Sequence, residues 1–174
     1  MNKTIDRPNQ NTYWVNERFL AGEYPGNWDD DRAVERIQAY LASGVTYFID
    51  LTSEADGVRS YQAILQRESD GQAVYQRYPI QDIGIPEDGF MLDILDTIDQ
   101  AIAGGHVVYV HCWGGIGRTG TVVGCYLVRH GLGGAAALGK VEALFAMMEK
   151  SRRVLRSPET DEQMSYVRNW PTGK

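Results

Sequence analysis

The apolar run "VYVH" at 108–111 ends at Cys112. Five residues, three of them glycine, separate that cysteine from Arg118, and a second apolar run, "TGTVVGCYLV", follows. No other stretch limits the architecture as tightly. The first run is rich in Val and Tyr and has no polar alternation, the pattern of a strand buried on both faces. The second reads as a helix that Gly131 stops. A buried strand passing through a short glycine loop into a helix is the unit of an α/β sheet, and ligands bind such sheets off the carboxyl ends of the strands.

The remainder repeats the alternation. Short strands are expected at "TYWV", "RFLAG", "VTYFIDLT" and "AVYQRYPI", and helices at 30–44, 57–71, 90–105 and 135–150. In the first helix Val34, Ile37 and Leu41 share a face and Gly44 closes it. In the third, Phe90, Ile94, Ile98 and Ile102 recur at four-residue spacing. A last helix begins near "SPET", with Ser157 as N-cap and Pro158 at the first position. The first ten residues and the last few read as frayed. No linker divides residues 1–174, so the expectation is a single α/β domain, a central mainly parallel sheet flanked by helices.

The glycine loop has the makings of an anion cradle. A helix N-terminus offers unpaired N–H groups and a positive dipole end. Gly114, Gly115 and Gly117 let the backbone curl so that successive N–H groups point inward, and Trp113 and Ile116 complete the loop. The planar fork of Arg118 matches a phosphate with two parallel hydrogen bonds. A thiol in such a place is driven towards the thiolate, which makes Cys112 an activated nucleophile. Thr119 can donate its hydroxyl to the sulfur. His111 either orders the loop by bonding to backbone, its charge aiding the thiolate, or is a satisfied core histidine. The plain alternatives are a buried small hydrophobe at Cys112, a tight turn at the glycines and a surface ion pair at Arg118. A nucleotide-binding Walker loop is excluded, since it needs G-x-x-x-x-G-K-S/T and no such lysine occurs here.

Net charge of −6 and the lack of a long Lys/Arg block argue against a nucleic-acid partner. With two cysteines, Cys112 and Cys125, no disulfide framework is suggested, and Cys125 reads as core. No signal-peptide pattern or apolar stretch of membrane-spanning length is found, which points to the cytoplasm and away from a membrane partner. His106, His111 and His130 form no metal-ligand spacing. Neither metal nor cofactor is called for.

"HCWGGIGRTG" resembles the H-C-x-x-G-x-x-R-S/T signature of cysteine-dependent protein phosphatases, and the short chain resembles their dual-specificity branch. The resemblance spans roughly residues 78–169 and is loose before them. It implies a general acid on an upstream mobile loop. "YPIQDIGIP" matches the acid loop's P-I-x-D-x-x-x-P, with Asp82 in the acid position thirty residues before Cys112. Taken alone, Asp82 would cap a turn beside Gly84 and Pro86, and Asp88 is the rival acid in the same loop. "ETDEQMSYV" resembles a Q-T-x-x-Q segment whose later glutamine positions the hydrolytic water. That carries over to Gln163, with Glu159 departing from the pattern, while Thr160 and Gln163 equally suit a helix capping box. Glu54 or Asp56, past a strand end, could brace Arg118. Trp113 is expected on the pocket wall and "EYPGNWDDD" on its rim.

The resemblance implies a phosphoprotein substrate, phosphotyrosine and, depending on pocket depth, phosphoserine or phosphothreonine. Lysines that accompany inositol-lipid substrates are absent from the loop. Two other readings stay open: a rhodanese-like sulfurtransferase, against which the Arg118-Thr119 ending argues, and a phosphate-binding module without turnover.

Overall fold

In the computed structural model, residues 6–174 are described. They form a five-stranded sheet: β1 (Thr12–Asn16), β2 (Phe19–Gly22), β3 (Tyr47–Asp50), β4 (Val74–Arg77) and β5 (Val108–His111), ordered β1-β2-β5-β3-β4. β1 and β2 make an antiparallel hairpin, and the other pairs are parallel. Six helices surround it: α1 (Asp30–Ala42), α2 (Gln62–Glu68), α3 (Asp88–Ala103), α4 (Gly117–Arg129), α5 (Gly134–Phe145) and α6 (Asp161–Asn169).

Strand side chains alternate between faces. Phe19, Ala21, Ile49, Val108 and Val110 join one apolar cluster with α3, α4 and α5. Leu20, Phe48 and Tyr109 join the other, closed by Ile37 and Tyr40 of α1 and Leu65 of α2. Both faces of β5 are therefore covered, as its unbroken apolar sequence requires. Gly22 of β2 and Asp50 of β3 lie in register with His111 at the end of β5. Three parallel strands thus stop at one level, and the loops that leave them meet there. No helix among the described residues is long and apolar enough to cross a membrane.

Several expectations need correction. Residues 1–5 lie outside the described part, but residues 7–11 are tied down rather than frayed. The Arg7 guanidinium donates to the carbonyls of Thr12 and Met147, and the Asn9 amide to the Tyr40 hydroxyl. The buried stripe of α1 is Ala33, Ile37 and Tyr40, with Val34 and Leu41 only half-buried. Tyr40 is drawn inward by its hydroxyl bond to Tyr109. The helix expected over 57–71 is confined to Gln62–Glu68, because a 3-10 turn at Glu54–Asp56 and the left-handed Gly57 precede it. The last helix starts at Asp161, not near Ser157. Its N-cap is Thr160, paired reciprocally with Gln163, while the Ser157 hydroxyl donates to the Ile116 carbonyl.

Ile98 is fully buried on α3 against the sheet. Ile98→Ala is expected to cost about 2–5 kcal/mol of unfolding free energy, measured by urea denaturation with tryptophan fluorescence.

Candidate active site

Between β5 and α4 the chain closes around the Cys112 sulfur. Cys112 is 3% exposed, and its Sγ accepts the Gly115 N–H at 3.2 Å. Gly115 has φ of +74°, and a Cβ there would lie 2.3 Å from the Gly22 carbonyl carbon. Both the left-handed backbone and the close approach to β2 exclude a larger residue.

The loop's carbonyls are held from outside. Those of Trp113, Gly114 and Ile116 accept from the Tyr24 N–H (3.0 Å), the Lys150 ammonium (3.2 Å) and the Ser157 hydroxyl (2.7 Å). Among the described residues, Gly115 has the only amide from Trp113 to Gly117 with a hydrogen-bond acceptor, and that acceptor is the sulfur. A curl of unclaimed N–H groups at a helix start is an anion site.

Arg118 is 2% exposed, yet almost every donor it has is used. Nη1 donates to Asp56 Oδ2 (2.8 Å) and the Ile80 carbonyl (2.9 Å), and Nη2 donates to Asp56 Oδ1 (2.7 Å). Nη2 also lies 3.1 Å from Asp82 Oδ1. Asp56 is the bracing carboxylate, and Glu54 beside it is exposed. Burial alone would raise the Asp56 pKa, but the Arg118 hydrogen bonds and the Ser53 N–H outweigh it and hold the carboxyl below its usual range. Burial likewise works against the guanidinium, and the Asp56 bonds and the nearby Cys112 sulfur raise its pKa instead.

Asp82 differs in kind. Its side chain is 68% exposed, and the next residue, Ile83, is exposed with φ of +55°. A β-branched residue in that region is strained. The segment is pinned on both sides, at Ile80 by Arg118 and at Gly84, whose carbonyl accepts the Gln163 amide at 3.2 Å. The carboxylate therefore rides on a short strained crest between two anchors. Asp88, its rival, is the first residue of α3.

Gln163 takes the capping role suggested for it. Its Oε1 accepts the Glu159 and Thr160 N–H groups, so it caps α6. It is also fully buried against the loop: a Cβ on Gly117 would lie 3.0 Å from its amide and 3.1 Å from the Glu159 carboxylate. The Thr119 hydroxyl does not donate to the sulfur as expected. It is buried with no hydrogen-bond partner among the described residues. Trp113 is 63% exposed and lines a cavity beside the loop with Tyr24 and Trp28 of the expected rim. Cys125 is a free thiol on α4 whose pKa burial pushes up, consistent with a core residue.

Of the two readings of His111, burial favours the satisfied core histidine. The ring is fully buried, which lowers its pKa despite Asp50 nearby. Nδ1 lies 3.1 Å from the Cys112 carbonyl, which can only accept, so Nδ1 carries the proton. Nε2 then accepts the Tyr61 hydroxyl at 2.7 Å, and burial keeps Tyr61 protonated. His111 is a neutral strut that fixes the Cys112 backbone. Tyr61 carries no local sequence signal of this pairing.

A family model described as "PTP-SAK: Swiss Army Knife protein, DSP-PTPase phosphatase domain" matches residues 9–167. The chain belongs to this phosphatase family. The viral protein 067L of Invertebrate iridescent virus 3, a tyrosine phosphatase homologue, is 31% identical over 68% of this chain and 46% of that protein. The protein tyrosine phosphatase domain-containing protein 1 of Mus musculus is 25% identical over 66% of this chain and 16% of its own length. The chain thus spans less than half the length of these curated relatives. Among solved structures, Tk-PTP in its active form superposes with a TM-score of 0.72 at 22% identity, covering 92% of this chain and 95% of that one. Kinase associated phosphatase gives 0.70 at 16% identity, covering 86% of this chain and 83% of that one. These last two likenesses concern the fold.

Two predictions follow from the struts. Asp56→Ala leaves a buried guanidinium without its paired carboxylate and is expected to cost about 3–5 kcal/mol, read by urea denaturation. His111 is held neutral when folded, so only the unfolded chain takes up its proton. Unfolding free energy is therefore expected to fall as pH drops below about 6.5. His111→Asn is expected to flatten that fall in the same titration.

Proposed function

We propose that the chain hydrolyses phosphomonoesters on proteins, phosphotyrosine first and phosphoserine or phosphothreonine with it, through a phosphocysteine intermediate. One observation carries this reading: a buried arginine, locked by Asp56, and a buried cysteine sulfur share a loop whose other amides are unclaimed. An incoming phosphoryl dianion takes those amides together with Nε and Nη2 of Arg118. Nη2 is the nitrogen that Asp82 now contacts, so the substrate displaces the Asp82 carboxylate from the guanidinium.

The Cys112 thiolate then attacks phosphorus in line. The S–P bond forms, the bond to the leaving oxygen breaks, and protonated Asp82 gives that oxygen its proton. In the second half, water attacks phosphorus and gives its proton to Asp82, while the S–P bond breaks and returns the thiolate. Gln163, buried between loop and α6, orients the water, and the unpartnered Thr119 hydroxyl turns to the departing sulfur. The protein's contribution is positioning and charge stabilisation. Working in a reducing cytoplasm would keep Cys112 a free thiol.

Wild type is expected to release phosphate from para-nitrophenyl phosphate in EDTA, and Cys112→Ser to lose that turnover. Asp82→Ala is expected to lower kcat by about a hundredfold or more. A folded wild type that releases no phosphate but consumes thiosulfate would make the loop the seat of sulfur transfer instead.

A further inference from the structure

Tyr13 is fully buried, yet its hydroxyl has no hydrogen-bond partner among the described residues. Buried polar groups nearly always find a partner, and one that does not costs free energy. Other buried tyrosines do find one. The Tyr40 and Tyr109 hydroxyls bond each other, and the Tyr61 hydroxyl reaches His111. Burial first, and the charge of Cys112 second, push the Tyr13 pKa above its ordinary value. The hydroxyl thus stays protonated, a neutral donor whose hydrogen is uncommitted.

The sheet register explains why the sulfur is felt there. Tyr13 of β1 pairs with Ala21 of β2, and Ala21 with Val110 of β5. All three belong to the apolar cluster with α3, α4 and α5, so they share one face of the sheet. Cys112, two residues past Val110, joins the same cluster. Neighbouring strands lie about 4.8 Å apart, and β2 is the one strand between Tyr13 and β5. The residue on β2 that the tyrosine ring has to cross is an alanine, which takes up little room. The other groups at the sulfur come from different elements. Gly115 of the loop donates its N–H. Arg118 of α4 is charged and carries Asp56 and Asp82 on its fork. His111 of β5 is neutral. The Thr119 hydroxyl of α4 is a second buried group without a partner.

Resting on the phosphatase reading, we propose that Tyr13 is a positioning residue for Cys112, its spare O–H turning to the sulfur when the thiolate forms. It transfers no proton. Its dipole acts across a dry interior of low dielectric, where a charge is felt beyond contact distance. A hydroxyl already bonded to a neighbour could not turn, so the absence of a partner is what fits Tyr13 to this task. The sheet thereby supports the nucleophile from below, while the loop and Arg118 hold the phosphoryl group from above.

The test is Tyr13→Phe, which keeps the ring and removes only the hydroxyl. The rate of alkylation of Cys112 by iodoacetamide, with the site confirmed by mass mapping, is followed against pH. The pH at which that rate reaches half its plateau is expected to rise by about one unit relative to wild type. Stability to urea is expected to hold or increase, since no hydrogen bond is lost. Tyr166→Phe is the control. It removes another buried hydroxyl without a partner, one that senses Cys125 and Asp88 instead, and is expected to leave the alkylation profile of Cys112 where it is. An unmoved profile in Tyr13→Phe, whether or not stability changes, would overturn the proposal and leave Tyr13 a packing residue. An equal shift in Tyr166→Phe would overturn it as well, because the effect would then not belong to Tyr13. Alkylation needs no turnover. A wild type that releases no phosphate from para-nitrophenyl phosphate therefore sinks the phosphatase reading by itself, while the alkylation profile still decides whether Tyr13 acts on the sulfur.

Discussion

The bidentate pair between Arg118 and Asp56 is the contact on which the site depends. A guanidinium at the base of a pocket, left without a carboxylate, would swing or draw in water, and its desolvation would go uncompensated. Asp56 reaches it because Gly57 ends the 3-10 turn in the left-handed region and Ser53 closes a capping box on the carboxylate. Both faces of the arrangement come from loops that leave β3 and β5 at one level of the sheet. The parallel register of the two strands thus fixes the separation of anchor and fork.

The same pair leaves Arg118 in a definite state of use. Asp56 and Ile80 occupy three donor contacts and Asp82 a fourth, weaker one on an exposed crest. Strong, buried contacts hold the fork in its plane. In the proposed mechanism the weak contact is the one that phosphate replaces, and it belongs to the residue that serves as the acid. Under that proposal, substrate binding and release of the acid are coupled through one nitrogen.

The strand–loop–helix unit around Cys112 was legible in the sequence because its signal is local: an apolar run, three glycines, a cysteine and an arginine at set spacing. Asp82 and Gln163 were legible through a family resemblance, and the capping box at Thr160 and Gln163 through its own spacing. What was not legible is non-local. Tyr61 bonds His111 from fifty residues away, and Lys150 reaches Gly114 across thirty-six. Neither leaves a pattern in its own neighbourhood. Burial decides between the two readings of His111, and the local sequence does not show it. The start of α6 was misplaced because Ser157 spends its hydroxyl on the phosphate loop rather than on its own helix.

The central claim is a covalent intermediate on Cys112. The direct test is acid quench of wild type within its first turnover of a phosphotyrosine peptide, followed by mass mapping of the phosphorylated residue. A phosphoryl group on the Cys112 sulfur, formed before phosphate appears in solution, is the expected result. Phosphate release with no adduct at any quench time, or an adduct on another residue, would contradict it.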